Sequence, residues 1–164
     1  PALLLNQRQA DIGIVVSDQP PEHLKGPRAG ELARAPYASA CYLETWPAKL
    51  PLGQHRWVGW GRAMSRSLVS RWMHSNLPPY IEIAARVNSW TAMREAVAGG
   101  LGISYLWCFL ADAEPRLQRI RPPNKELSAG LWLLCPEDIP PNSRVQICLQ
   151  ELPPLLAQRI DPAE

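Results

Sequence analysis

No two cysteines in this chain are spaced as CxxC, no apolar run is long enough to span a bilayer, and neither sign of charge prevails. The first absence removes the usual sequence mark of a zinc site or a redox dithiol. The second excludes a transmembrane helix, and the apolar opening at residues 2–5 is too short for the core of a signal peptide. The third follows from 17 Lys and Arg against 15 Asp and Glu, a net charge of +2 that is too weak to form a nucleic-acid-binding surface. Gly-x-Ser-x-Gly, His-Glu-x-x-His and a phosphate-binding glycine loop are also missing. An enzyme would then have only Cys108 paired with one of three histidines, His23, His55 and His74, all in or beside polar or turn-like stretches. The reading is of a protein that is not an enzyme and needs no metal or cofactor. Internal repeats and low-complexity tracts are absent as well.

What remains is an ordinary globular composition, 46% hydrophobic and 20% charged over 164 residues, enough for one domain or for two lobes sharing a chain. The four cysteines, Cys41, Cys108, Cys135 and Cys148, each sit among apolar neighbours and read as buried free thiols in a reducing cytoplasm. Eighteen prolines raise the loop content, but apolar strands and helical stripes recur between them.

Residues 11–16 read as a buried β-branched strand ending at Ser17, and residues 19–30, with three prolines and two glycines, as a loop or edge excursion. A strand over 31–39 leads into one helical turn at 40–43, and 57–60 supplies a brief strand. Met64, Leu68 and Trp72 recur every fourth residue, which predicts an amphipathic helix over 64–72, ended by residues 76–79. Residues 80–87 alternate into a strand. A short helical turn is expected at 110–113 and an apolar strand at 131–134. A capping box from Ser143 to Gln146 should open a last helix with the stripe Val145, Cys148, Leu149 and Leu152.

The richest segment is residues 87–106. Ser89 is a good N-cap, Trp90, Met93 and Val97 fall on one helical face, and Gly99-Gly100 offers a left-handed stop before an apolar strand at 102–106. With the strand before it, this helix forms a βαβ unit, and the class is α/β. The amides at the start of such a helix face the carboxyl edge of the sheet, where a small anion can be held.

The same segment resembles the effector-binding domain of LysR-type transcriptional regulators, in which an Asn-Ser-led helix runs into Ala-Gly-Leu-Gly-Ile and then Leu-Pro-x-Phe-Leu-x-Asp. Here the corresponding stretches are Asn88-Ser89, residues 99–103 and residues 106–117. Similar, collinear matches lie at 10–14, 36–43, 55–60, 131–134 and at Arg144-Val145. Trp107 stands where the family usually has proline, which places an indole at the entrance of the ligand cleft.

The resemblance implies a two-lobed, type 2 periplasmic-binding-protein-like fold. Residues 1–38 would form part of a first lobe, 39–133 the second, and 134–164 a segment returning to the first. Segments similar to the family's winged helix-turn-helix, its linker helix and the opening strand and helix of its effector domain are not among these residues. The resemblance therefore implies a first lobe that is incomplete in a chain truncated on its N-terminal side. Carried over by position, the ligand-binding candidates are Val16, Ser17, Ala38, Ser39, Asn88, Ser89, Tyr105, Leu106 and Trp107. Serines are also the common residues of caps and turns, so Ser17, Ser39 and Ser89 have structural uses as well. The implied function is ligand sensing in the cytoplasm, with a carboxylate or aromatic metabolite held between the lobes. The implied assembly is a homodimer or higher oligomer that meets DNA only through a domain absent from this chain and does not meet a membrane. A solute-binding protein of related fold is the alternative, and an enzyme is a more distant one.

Overall fold

The computed structural model describes residues 10–138, 140 and 144–160. They divide into two compact units, one within residues 33–127 and one within the spans 1–32 and 128–164.

The 33–127 unit is built on a mixed sheet. Strands β4 (Arg34–Ser39), β7 (Ser104–Trp107) and β8 (Leu117–Arg119) pair antiparallel in the order β7-β4-β8, while β5 (Trp57–Trp60) and β6 (Ile83–Val87) pair in parallel. A parallel bridge between Trp57 and Ile103 joins the two sets. The Val58 amide donates to the Ile103 carbonyl at 2.9 Å, and Ser104 Oγ donates to the Val58 carbonyl at 3.0 Å. Strands β5, β6 and β7 therefore run the same way, and β4 runs against them, with Arg34 opposite Trp107 and Tyr37 opposite Ser104. One edge of this sheet carries Trp60, Val87, Trp107 and Arg34; the other carries Ser39.

Helix α1 (Ala40–Thr45) follows β4, α2 (Leu68–Asn76) follows β5, α3 (Trp90–Ala98) joins β6 to β7, and α4 (Cys108–Ala111) follows β7. The expected βαβ unit is present. Ser89 is extended at φ −143° and its Oγ accepts the Ala92 amide at 3.2 Å, so it caps α3 as the sequence predicts. At the other end the Gly100 amide reaches the Val97 carbonyl at 3.0 Å and the Leu101 amide the Ala96 carbonyl at 3.1 Å. That pair is a Schellman stop, and it requires the positive φ of +81° that Gly100 adopts. Met93 and Val97 are fully buried, in a core that includes Tyr37, Trp57, Val58, Ile103 and Leu127.

Helix α2 departs from its sequence prediction. It starts at Leu68 rather than 64, because Ser67 Oγ accepts the Ser70 amide at 3.2 Å and caps a new helix after a 3-10 turn at Arg62–Met64. The new start moves the fully buried face to Val69 and Met73, with Leu68 and Trp72 half-buried beside it.

In the other unit all pairing is antiparallel around β9 (Ala129–Pro136). Strand β1 (Gly13–Ser17) lies on one side of it, and β2 (Leu24–Lys25) and β3 (Arg28–Leu32) on the other. Residues 19–30, expected as a loop or an edge excursion, thus contain a strand and most of another. Pairing with β9 recruits them despite weak alternation in their own sequence. Gly26, at φ +153°, passes so close to β9 that a Cβ would sit 1.8 Å from the Leu133 carbonyl oxygen. Only glycine fits there.

Strand β1 is not buried as predicted: Val15 is, but Ile14 is 52% and Val16 47% exposed. Among the described residues β1 pairs with β9 alone, so it is an edge strand. Leu133, Leu134 and Cys135 at the centre of β9 are fully buried. The last helix, α5 (Arg144–Ile160), buries only Leu149 of its expected stripe, and Leu152 is 36% exposed. Ser143, the first residue of the predicted capping box, lies outside the described residues.

Candidate functional site

The edge where β5, β6 and β7 end carries a cluster of aromatic rings around one cation. Arg34 opens β4 and is 8% exposed. Its guanidinium carbon lies 3.5 Å from the centroid of the Trp107 ring and 5.4 Å from that of Trp90, and Nη1 donates to the Leu127 carbonyl at 3.0 Å. Trp90 and Trp107 have centroids 5.6 Å apart, and Trp60 meets Trp90 edge-on at 4.5 Å. A desolvated arginine over two indoles is favourable because the ring faces are the negative ends of their quadrupoles. Trp107, read from sequence as an indole at the entrance of a cleft, lies instead 8% exposed against Arg34.

Asn88 and Ser89 lie at the same edge, exposed, between β6 and α3. The Asn88 side chain covers Gly61, where an added Cβ would come 2.2 Å from Asn88 Oδ1. Ser89 Oγ is engaged by the Ala92 amide, while the amides of Trp90 and Thr91 are the first-turn donors that a helix leaves without an intrahelical partner. A cavity of about 70 Å3, lined among others by Trp90, Thr91, Arg94 and Trp107, opens beside them. It is a fraction of the few hundred Å3 typical of a small-molecule site.

The structure does not bring all nine candidates together. Tyr105 and Leu106 are 3% and 4% exposed and belong to the core. The Tyr105 ring packs on Trp72 at 5.0 Å and Trp57 at 5.9 Å, and burial pushes its phenol up while Asn124 opposes that. Ala38 and Ser39 are buried at the opposite edge of the sheet from Trp107, where Ser39 Oγ accepts the Tyr42 amide at 3.4 Å and caps α1. Val16 and Ser17 belong to the other unit. Ser17 Oγ donates to the Gln19 carbonyl at 2.6 Å, and the Ser17 carbonyl accepts from Trp132 Nε1 at 2.9 Å. Sequence reasoning missed Arg34 and the clustering of Trp60 with Trp90. A lone arginine between alanines at the start of a buried strand was the available signal.

The other chemically equipped residues are structural in their surroundings. His55 is 1% exposed despite its turn-like sequence context, with Nδ1 3.2 Å from the Tyr42 hydroxyl, and burial holds its pKa below the usual histidine value. Cys108 is buried beside a network in which Tyr37 donates to Asp112 at 2.6 Å and Arg119 Nε donates to the Tyr37 oxygen at 3.1 Å; burial pushes the thiol up. The expectation of four buried thiols is corrected at Cys41, which is exposed, and at Cys148, which is half-buried. Cys41 is the second residue of α1, its Sγ 3.2 Å from Ser39 Oγ. Among the described residues no group of His, Cys, Asp or Glu could hold a metal ion, and no helix is long and apolar enough to cross a membrane.

An α/β unit with a capped crossover helix and a parallel-strand edge is shared by many binding proteins and enzymes, and comparison with known proteins identifies the family. The family model described as LysR substrate binding domain matches residues 2–156. The chain belongs to the LysR substrate binding domain family, whose members have the two-lobed, type 2 periplasmic-binding-protein-like fold, and it is thus a regulatory, effector-binding domain. It is similar to the regulatory domain of CrgA, a LysR-type transcriptional regulator from Neisseria meningitidis, at 19% identity and TM-score 0.69, covering 98% of this chain and 80% of that one. The Synechocystis CcmR regulatory domain in complex with 2-PG is similar at 17% identity and TM-score 0.70, over 94% of this chain and 77% of that one. The effector-binding domain of QuiR in complex with shikimate aligns at 14% identity and TM-score 0.64, over 96% and 76%. None of the curated protein sequences matches it.

Proposed function

We propose that this chain senses a small carboxylate or aromatic metabolite for a LysR-type transcriptional regulator. The molecule is received at the strand edge formed by Asn88, Ser89 and Trp107. The observation that carries this reading is the family match over residues 2–156. CcmR in complex with 2-PG and QuiR in complex with shikimate are precedents for small ligands on domains of this fold. Within the site, the free amides of Trp90 and Thr91 and the positive end of the α3 dipole favour a negative group. Tyr105 and Leu106 act through packing in the core behind the edge, whereas Ala38 and Ser39 are buried at the opposite edge of the sheet.

The chain works in the cytoplasm as a homodimer or higher oligomer and reaches DNA through a domain outside these residues. A ligand that binds one conformation better than another shifts the population toward it, which is how binding is converted into a regulatory signal. The two units at 33–127 and at 1–32 with 128–164 serve as the lobes.

A thermal-shift screen of small organic acids and aromatic metabolites tests the function, since a ligand that binds only the folded state raises its stability. The site is tested with the ligand so found, by comparing Ser89→Ala with Ser89→Asp. Aspartate keeps the cap and repels an anion, so it should abolish binding that alanine only weakens. Equal affinity in both variants and the parent would move the site away from α3.

A further inference from the structure

Arg34 occupies the place that a stacked ligand would need at the strand edge. Its guanidinium carbon lies 3.5 Å from the Trp107 centroid, about the separation at which an aromatic ring would itself rest on that indole. The side chain is held there. Nη1 donates to the Leu127 carbonyl at 3.0 Å, and the Arg34 carbonyl accepts the Asn124 amide at 2.8 Å, so both ends of the residue are fixed.

Trp90 offers no easier platform. Trp60 meets it edge-on at 4.5 Å, Trp107 stands 5.6 Å away, and the guanidinium carbon of Arg34 is 5.4 Å from its centroid. The opening left beside the two indoles is about 70 Å3, walled on its apolar side by Leu106, Leu110 and Ala111, and is about half of the roughly 150 Å3 that holds a benzene ring. A short aliphatic chain fits that space and a ring does not.

The polar groups of the edge call for an acceptor. The amides of Trp90 and Thr91 have no intrahelical partner. Trp60 Nε1, in a residue 3% exposed, has no hydrogen-bond partner among the described residues. A buried donor without an acceptor is costly, and a carboxylate is the side group of a small molecule that brings the most acceptor sites.

We propose that Arg34 is a specificity-determining residue of this edge. By filling the face of Trp107 it excludes ligands with an aromatic body and leaves the edge to short aliphatic carboxylates. The inference rests on the reading of the edge at Asn88, Ser89 and Trp107 as the ligand site, and it narrows the ligand class given for that site.

Isothermal titration of the full chain with sodium propionate and with sodium benzoate tests it, because the two acids carry the same carboxylate on different bodies. The readout is the ratio of the two affinities, which a general loss of stability does not move. The parent should bind propionate at least about tenfold more tightly than benzoate, since forcing a ring into filled space costs about that factor. Arg34→Ala should shift the ratio toward benzoate by at least about tenfold. Arg34→Met keeps the length of the side chain without its charge and should leave the ratio near the parent's. Circular dichroism reports the fold of each variant, and should Arg34→Ala not fold, Arg34→Val removes less of the side chain and makes the same comparison. Benzoate that binds the parent as tightly as propionate overturns the inference, as does an unchanged ratio in Arg34→Ala. Either result leaves the reading of the edge intact where Ser89→Asp abolishes the binding of both acids. If neither acid binds the parent at low-millimolar concentration, the reading of the edge fails and this inference falls with it.

Discussion

The guanidinium carbon of Arg34 lies 3.5 Å from the centroid of the Trp107 ring, and the two residues face each other across the β4–β7 ladder. The contact joins a strand start to a strand end, and it replaces the open entrance that the Trp107 position suggested with a packed cation–indole pair. A double-mutant cycle with Arg34→Met and Trp107→Leu should give a coupling of about 2 kcal/mol, the size expected of a desolvated cation–π pair. Urea denaturation of the four proteins measures it, and additive effects would show that the two residues stabilise the unit independently.

Gly100 carries the left-handed turn of the α3 stop, and an added Cβ would also come 2.9 Å from Cys41 Sγ. Gly100→Ala should therefore lower stability by about 1–2 kcal/mol, combining backbone strain with the close contact. In Cys41→Ala the contact disappears and only the strain remains. The loss caused by Gly100→Ala should be smaller in that background, as thermal or urea unfolding will report.

His55 is buried in its neutral form, its pKa lowered chiefly by desolvation, with nearby Arg121 also disfavouring the charge and a bond to the Leu50 backbone opposing both. Below about pH 6.5 the unfolded chain takes up this proton and the folded chain does not. The contribution of His55 is thus complete above that pH and is lost as pH falls toward the lowered folded value. Urea midpoints measured from pH 8 to pH 5 should decline less in His55→Gln than in the parent, and an equal decline would assign the pH dependence to other groups.

The cysteines should divide by accessibility. Cys41 is exposed, whereas Cys108 and Cys135 are buried, with burial raising both thiols. A thiol reagent added to the native chain should label Cys41 rapidly and reach Cys108 and Cys135 only on unfolding. Mass spectrometry after brief labelling identifies the sites, and rapid native labelling at Cys108 would contradict its packing beneath Tyr37.

Elements whose ends and faces are set by neighbouring residues were legible in the sequence. Helix α3 is the clearest: Ser89, the Met93–Val97 face and the double glycine each impose a local geometry, and together they leave one helix. Strand β5 was equally plain as an apolar run between glycine and proline breaks. The α/β class and the family follow from such local signals in collinear order.

Tertiary structure decided what depended on pairing. Strand β3 exists because β9 offers it a ladder, and β1 is exposed because β9 is the only strand it pairs with among the described residues. The site shows the same division. Position along the chain singled out Asn88, Ser89 and Trp107, but β4 runs antiparallel to β7, so it is Arg34, and not Ser39, that stands beside Trp107. Strand direction is a property of the assembled sheet, set by hydrogen bonds between segments far apart in sequence, and the residues of any one segment do not encode it.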